Sequence, residues 1–74
     1  MNTEYKKYID VKQSVMVGKP CIKGTRITVE SILEMLACGM RQSEIISDYP
    51  SLNEKKIRAA LMYAATHLLS EKAA

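Results

Sequence analysis

NEKKIRAALMYAATHLL, residues 53–69 of a 74-residue chain, has the clearest helical pattern in the sequence. Asn53 is a good N-cap, because its short polar side chain can accept a hydrogen bond from the backbone of the first turn. Leu52 and Ile57 have the spacing of a hydrophobic staple across that cap. The segment therefore predicts a helix, followed by a frayed tail over residues 70–74. Its predicted buried stripe consists of Ile57, Ala60, Leu61, Ala64, Ala65 and Leu68.

Two shorter helices are predicted before this one. Apolar residues at helical spacing predict the first, with Thr28 as its N-cap and Gly39 as the left-handed residue at its end. The second spans about Gln42–Asp48 and ends before a proline. Its cap would be Arg41 or Ser43, and Arg41 is a poor cap. The predicted buried side chains are Val29, Ile32, Leu33, Leu36 and Ala37 on the first helix and Ile45, Ile46 and Tyr49 on the second.

The first third of the chain has the pattern of short strands separated by turns. The strands are predicted at Ile9–Val11, Ser14–Val17 and Cys21–Ile22, with turns at Gly18-Lys19-Pro20 and Lys23-Gly24-Thr25. An isolated pair of strands is marginal in water, so this ribbon must pack on the helices or pair with another subunit. The sequence favours pairing across a homodimer, which also suits a domain with a small core.

These elements form one domain over residues 1–74, because a chain of this length has room for a single core. A β arm with short strands over residues 1–27 precedes three helices over residues 28–69. The predicted fold class is mainly α: a three-helix helix-turn-helix domain preceded by a short N-terminal β arm or hairpin. In such domains the third helix lies in the major groove of DNA.

The composition excludes several functional classes. The longest apolar run, over residues 59–65, is far too short for a membrane span, and the N-terminus lacks the apolar segment of a secretory signal. Cys21 and Cys38 are better explained as reduced thiols than as a disulfide, so we expect a cytoplasmic protein. His67 is the only histidine, and no metal-ligand spacing accompanies it. We therefore expect no metal, no cofactor and no enzymatic activity.

Basic residues surround the turn before the first helix. The run over residues 18–25 fails as a nucleotide-binding phosphate loop, because Gly24 rather than a lysine precedes Thr25. Arg26 follows directly, and Glu30 or Asp48 would pin its guanidinium against the helices. The alternative is that Arg26 faces a partner, and we favour the structural role.

The net charge of +3 is unevenly distributed: +4 over residues 1–26, −3 over residues 27–53 and +2 over residues 54–74. Basic ends suit a protein that contacts phosphates with its arm and its last helix, although a mixed solvated surface explains the charge equally well. The predicted exposed face of the third helix carries Lys55, Arg58, Ala59, Met62 and Thr66, with Lys56 on its flank. The candidate DNA-binding residues are Lys55, Lys56, Arg58 and Met62, and the secondary candidates for phosphate or partner contact are Lys19, Lys23 and Arg26.

A further pattern runs through roughly residues 9–68. It consists of GKPCIKGTRITV at residues 18–29, then Ile32-Leu33, Gly39, Glu44-Ile45-Ile46, Tyr49-Pro50, Ile57-Arg58-Ala59-Ala60-Leu61 and Tyr63-Ala64. This pattern resembles the bacterial and archaeal family known as domain of unknown function 433. The signature residues here are Gly18, Lys19, Pro20, Ile22, Gly24, Thr25, Arg26 and Ile27.

The resemblance implies a small helix-turn-helix domain, homeodomain-like or winged-helix-like, that is often the antitoxin half of a VapB-type toxin–antitoxin pair. The usual neighbour of such a domain is a toxin-like protein with a PIN-type nuclease fold. Two departures from the family pattern bear on this expectation. Arg41 stands where Ser or Thr usually caps the second helix. The chain also ends soon after the third helix, so we expect any toxin contact to come from the folded domain or the basic arm.

Two functional hypotheses follow. In the first, the chain is the antitoxin of a type II toxin–antitoxin pair, a dimer that binds operator DNA through its third helix and neutralises a PIN-like nuclease by covering it. In the second, it is a protein-interaction and dimerisation module without specific DNA binding. The acidic middle segment supports the second hypothesis, because it would repel a duplex unless it is turned away.

Overall fold

The computed structural model describes residues 4–11 and 19–73. In this part of the chain, three helices follow a short N-terminal arm: α1 at Val29–Ala37, α2 at Gln42–Asp48 and α3 at Glu54–Ala73. The arm contains a 3₁₀ turn at Glu4–Lys7 and two strands, β1 at Ile9–Asp10 and β2 at Cys21–Ile22. The predicted mainly α fold, with three helices after a short hairpin, is confirmed.

The two strands pair with each other in antiparallel register. Ile9 lies opposite Ile22 and Asp10 opposite Cys21. The sequence favours pairing of this ribbon across a homodimer, whereas the described strands form their backbone hydrogen bonds with each other within one chain. The strand predicted at Ser14–Val17 lies outside the described residues.

Both ends of α1 form as their capping residues predict. Oγ1 of Thr28 accepts a hydrogen bond from the backbone N–H of Ser31 at 3.0 Å. At the other end, Gly39 has a φ of +93°, which strongly favours glycine. The N–H of Gly39 donates to the carbonyl of Leu36, and that of Met40 donates to the carbonyl of Met35. These two bonds form a Schellman motif, which satisfies carbonyls that a helix end otherwise leaves unpaired.

The helix α2 begins and ends where it is predicted, although its start has a poor cap. Arg41 occupies the N-cap position, and its side chain carries no hydrogen-bond acceptor. Instead, the Glu44 carboxylate accepts a hydrogen bond from the Arg41 N–H at 2.9 Å, which is one half of a capping box.

The start of α3 confirms both predicted signals. Oδ1 of Asn53 accepts a hydrogen bond from the N–H of Lys56 at 2.9 Å. Leu52 and Ile57 are both buried, as a hydrophobic staple requires. The helix continues to Ala73, so the frayed tail predicted over residues 70–74 is wrong for residues 70–73.

The core lies where the arm, α1 and α2 meet the first half of α3. Its buried side chains are Tyr5, Ile9, Ile22, Val29, Ile32, Ile45, Leu52, Ile57, Ala59 and Ala60. Several predicted stripe residues are instead exposed: Ala37, Tyr49, Leu61 and Leu68. The reason is clearest on α3, because the 3₁₀ turn and β1 pack against this helix. Ala59, predicted on the exposed face, is therefore only 2% exposed, whereas Leu61 is 39% exposed.

Candidate nucleic-acid interface

The first turns of α3 present two exposed cations, Lys55 and Arg58. Asn53 sets the start of the helix, and Ile57 is fully buried between the two cations in sequence. Residues three apart on a helix are neighbours on its surface. The local sequence therefore places Lys55 and Arg58 side by side, away from the buried Ile57.

The 3₁₀ turn packs beside these two cations and closes a cleft of about 240 Å³. The turn is anchored by Tyr5, whose buried ring meets Tyr63 of α3 edge-on at 5.9 Å between centroids. It is also tied to the strands, because the N–H of Lys23 donates to the carbonyl of Tyr8 at 2.7 Å. The cleft, called the cationic cleft below, is lined by Tyr5, Lys7, Tyr8, Lys55, Arg58, Ala59 and Met62.

The electrostatics of the cationic cleft are one-sided. Lys7, Lys55 and Arg58 line it from two separate elements, and its described lining contains no acidic side chain. Lys55 and Arg58 are exposed on α3, and Lys7 is exposed on the turn. None of the three forms an ion pair with a side chain that the structure describes. Glu54, next to Lys55, lines a separate cavity with it. A lining with three cations and no described carboxylate favours an anionic ligand.

Two further candidate residues of α3 have different roles. Lys56 is half-buried, and its Nζ donates to the carbonyl of Ser51 at 2.7 Å, so it braces the loop before α3. Met62 lines the cationic cleft, but its side chain is half-buried and packs against the core. The structure thus brings together Lys55, Arg58 and Met62, and it directs Lys56 elsewhere.

The sequence does not single out Lys7 as a candidate residue, although Lys7 lines the same cleft. In the sequence it stands between two tyrosines, Tyr5 and Tyr8. Their spacing signals a short segment that buries aromatic rings and keeps its lysines in solvent. The sequence does not show that this segment packs against α3.

The secondary candidates lie outside the cationic cleft. The Lys19 ammonium is 3.7 Å from a carboxylate oxygen of Glu30, and both side chains are exposed. Lys23 and Arg26 are also exposed. Arg26 forms no ion pair with any side chain in the described parts of the chain, so its predicted pinning by Glu30 or Asp48 is wrong. Glu30 contacts Lys19 instead.

The described part of the signature run, residues 19–27, builds a turn. The N–H of Ile22 donates to the carbonyl of Ile27, and the Thr25 hydroxyl donates to the carbonyl of Ile22 at 2.8 Å. The hydroxyl oxygen of Thr25 then accepts a hydrogen bond from the N–H of Ile27, while Gly24 adopts a φ of +81°. These groups bond within the turn, so the signature positions α1 after β2. Gly18 lies outside the described residues.

A second surface, called the α1–α3 groove below, has a different character. It has a volume of about 450 Å³, and Val29, Leu33 and Ala64 contribute apolar side chains to it. His67 stacks on Tyr63 at one end, with 4.0 Å between ring centroids. The rest of its lining is Lys19, Pro20, Thr28 and Glu30. This groove is suited to a largely apolar partner surface.

The acidic residues of the middle segment do not line the cationic cleft. Glu34 lies in a cavity of about 340 Å³ with Met35, Cys38, Met40 and Tyr49. Glu30 lines the α1–α3 groove. The described acidic side chains of α1 are therefore kept out of the cleft that Lys7, Lys55 and Arg58 line.

The two cysteines are free and occupy different environments. Cys21 is fully buried in β2, and burial raises the pKa of its thiol, with a further increase from the charge of Asp10. A raised pKa disfavours the reactive thiolate. Cys38 is exposed at the C-cap of α1. Within residues 4–11 and 19–73, the side chains form no group of three or more His, Cys, Asp or Glu that could hold a metal ion.

None of the helices in the described part of the chain has the combination of length and hydropathy that crossing a bilayer requires.

Comparison with known proteins matches residues 9–64 to the family described as "Protein of unknown function (DUF433)". An uncharacterized protein y4eO from Sinorhizobium fredii is 33% identical over 55 residues, which are 74% of this chain and 25% of the relative. The chain thus spans about a quarter of the length of that curated relative.

The crystal structure of a DUF433 member protein from Anabaena variabilis has the same fold, with a TM-score of 0.79 and 25% sequence identity. The likeness covers 85% of this chain and 62% of that protein.

Proposed function

We propose that this chain, which belongs to the DUF433 family, is a DNA-binding regulator of the antitoxin type. It binds the DNA upstream of its own reading frame and covers a PIN-like nuclease partner. The observation that carries the DNA-binding role is the cationic cleft, where Lys7, Lys55 and Arg58 meet without an acidic neighbour among the described lining. The proposed role is one of binding, without a catalytic step.

The charge distribution supports contact with a polyanion. DNA carries a dense row of phosphates, and a protein that neutralises them releases condensed counterions. Lys55 and Arg58 are exposed and unpaired to any described side chain, so binding breaks no existing ion pair. Because the described lining holds no carboxylate, a phosphate entering the cationic cleft meets attraction from both walls.

The test is DNA binding by a double variant, Lys55→Gln with Arg58→Gln, measured on upstream DNA at several salt concentrations. Removing two phosphate contacts lowers the slope of log affinity against log salt by about 1.8, since each contact contributes about 0.9. Between 50 and 200 mM salt, the wild type then loses about 12-fold more affinity than the variant. Both side chains are exposed, so we expect the variant to fold like the wild type. Circular dichroism verifies this expectation.

The matched control is Lys23→Gln with Arg26→Gln, which removes the same two charge types from exposed positions outside the cationic cleft. We expect its salt slope to stay close to that of the wild type. Equal slopes for the two double variants, or no binding of upstream DNA by the wild type, would contradict the proposed DNA-binding role.

A second candidate function is that of a protein-interaction module, and the α1–α3 groove favours it. This groove is lined by apolar side chains from both helices, among them Val29, which is buried, and Leu33, which is half-buried. A chain with this function copurifies with its nuclease partner after coexpression and does not shift upstream DNA. An adjacent reading frame rich in the spaced Asp and Glu of a metal-dependent nuclease supports the antitoxin pairing in either case.

A further inference from the structure

The face of α3 that a recognition helix would insert into a DNA groove is partly covered. Such a helix reads bases with side chains on successive turns of one exposed face. On α3, Ala59 directly follows Arg58 and Met62 lies one turn after Arg58, and both line the cationic cleft. Ala59 is buried, and Met62 is half-buried in the wall of the cationic cleft. Only the first turns of this face are therefore open.

The covering element is the 3₁₀ turn, and it adds a charge of its own. Tyr5 and Tyr8 line the cleft beside Met62, which brings Lys7 to the same opening as Lys55 and Arg58. The turn is held in place by the buried Tyr5 and by the strand pairing that follows it. It thus forms a fixed second wall of the site.

We propose that the cationic cleft grips the sugar–phosphate backbone of a DNA duplex between the 3₁₀ turn and α3, with Lys7 as a contact equal in weight to those from α3. This inference rests on the proposed function and specifies which part of DNA occupies the site. Three cationic side chains from two walls line one cleft of about 240 Å³, which is large enough to admit a phosphate group. Contacts of this kind position a protein on DNA and do not read base sequence.

Lys6 and Lys7 provide a matched pair for the test. They are adjacent, exposed and part of the same 3₁₀ turn. Lys7 lines the cationic cleft, whereas Lys6 lines a different cavity with Ile9, Val11 and His67. Lys7→Gln and Lys6→Gln therefore remove the same charge at neighbouring positions, and only one of them alters the cleft.

The experiment measures the affinity of the wild type, Lys7→Gln and Lys6→Gln for upstream DNA and for an unrelated duplex of equal length, from 50 to 200 mM salt. We expect Lys7→Gln to lower the magnitude of the slope of log affinity against log salt by about 0.9 on both duplexes. Between 50 and 200 mM salt, the wild type then loses about 3.5-fold more affinity than Lys7→Gln. Lys6→Gln keeps the wild-type slope. Circular dichroism and thermal unfolding monitor the fold of each variant.

Three other outcomes would contradict the inference, the proposed function or both. If the wild type binds neither duplex, the proposed function fails and this inference fails with it. If the wild type binds DNA but Lys7→Gln and Lys6→Gln have equal slopes, the inference is wrong and the proposed function stands. If Lys7→Gln weakens binding to only one duplex, Lys7 reads bases, and the backbone assignment is wrong.

Discussion

The two halves of α3 differ sharply although they form one continuous helix. The half over residues 54–63 contains three buried side chains, those of Ile57, Ala59 and Ala60. In the half over residues 64–73, none of the described side chains is buried, and Leu68 is 66% exposed.

This difference separates two tasks along the helix. The first half is capped, stapled and covered by the arm, so it holds the domain together and fixes the cationic cleft. The second half contributes Ala64 and His67 to the α1–α3 groove, and its exposed Leu68 leaves apolar surface in water. The stability of the domain is therefore expected to depend on the first half, and contacts with a protein partner are expected to use the second half.

The largest expected effect comes from truncating a buried side chain in the first half. Ile57→Ala removes a fully buried side chain and leaves a cavity, at a cost of about 3 kcal/mol in the free energy of unfolding. In a domain of this size, the midpoint of thermal unfolding then falls by roughly 12–24 °C. Leu68→Ala is the control, with an expected change within about 0.5 kcal/mol. Similar losses for the two variants would remove the distinction between the halves.

A smaller effect is expected at the contact that covers the first half. Tyr5→Ala removes a buried ring and its edge-on contact with Tyr63, which costs about 2 kcal/mol by urea denaturation. Tyr49→Ala is the matched control, because Tyr49 is 41% exposed. The decrease in the free energy of unfolding is expected to be well under half of that for Tyr5→Ala. If Tyr5→Ala is as stable as the wild type, the arm does not hold α3.

The smallest effect is expected at the helix cap. Asn53→Ala removes the acceptor for the Lys56 N–H and costs about 1 kcal/mol in thermal or urea unfolding. Asn53→Asp keeps an acceptor at the same position and is expected to retain most of this stability. A loss in Asn53→Asp equal to that in Asn53→Ala would show that the cap bond does not stabilise the first half.

The sequence predicts most of the fold because its signals are local. Thr28, Gly39 and Asn53 act within one helical turn of their own position, and each acts as its residue type predicts. The pairing of Leu52 with Ile57 is also local. Such signals depend on neighbouring residues and on backbone geometry, so they can be recognised without knowing the tertiary structure.

The buried face of α3 could not be predicted in the same way. Helical spacing alone allowed a stripe through Leu61 and Leu68, which are both exposed. The actual face turns toward Ala59, because the 3₁₀ turn packs there from a distant part of the chain. Small residues such as alanine accept either environment, so they give little information on which side of a helix is covered.

The candidate site is predictable from the sequence only where its residues depend on local helix geometry. Lys55 and Arg58 lie where a helix start exposes them, which the spacing shows. Lys7 joins them only through tertiary packing, and Arg26 lacks the carboxylate partner expected for it among the described side chains. A lysine or an arginine on a flexible stem has many neighbours within reach, so sequence proximity is a weak guide to its partner.

The two walls of the cationic cleft come from segments that a ribosome makes at different times. Residues 5–8 are synthesised well before residues 55–62, and contacts between such distant segments form late and slowly during folding. A nascent chain that has not yet released α3 therefore lacks one wall of the cationic cleft. If the proposed function holds, DNA binding through this cleft requires a chain whose two segments have both been made and packed together.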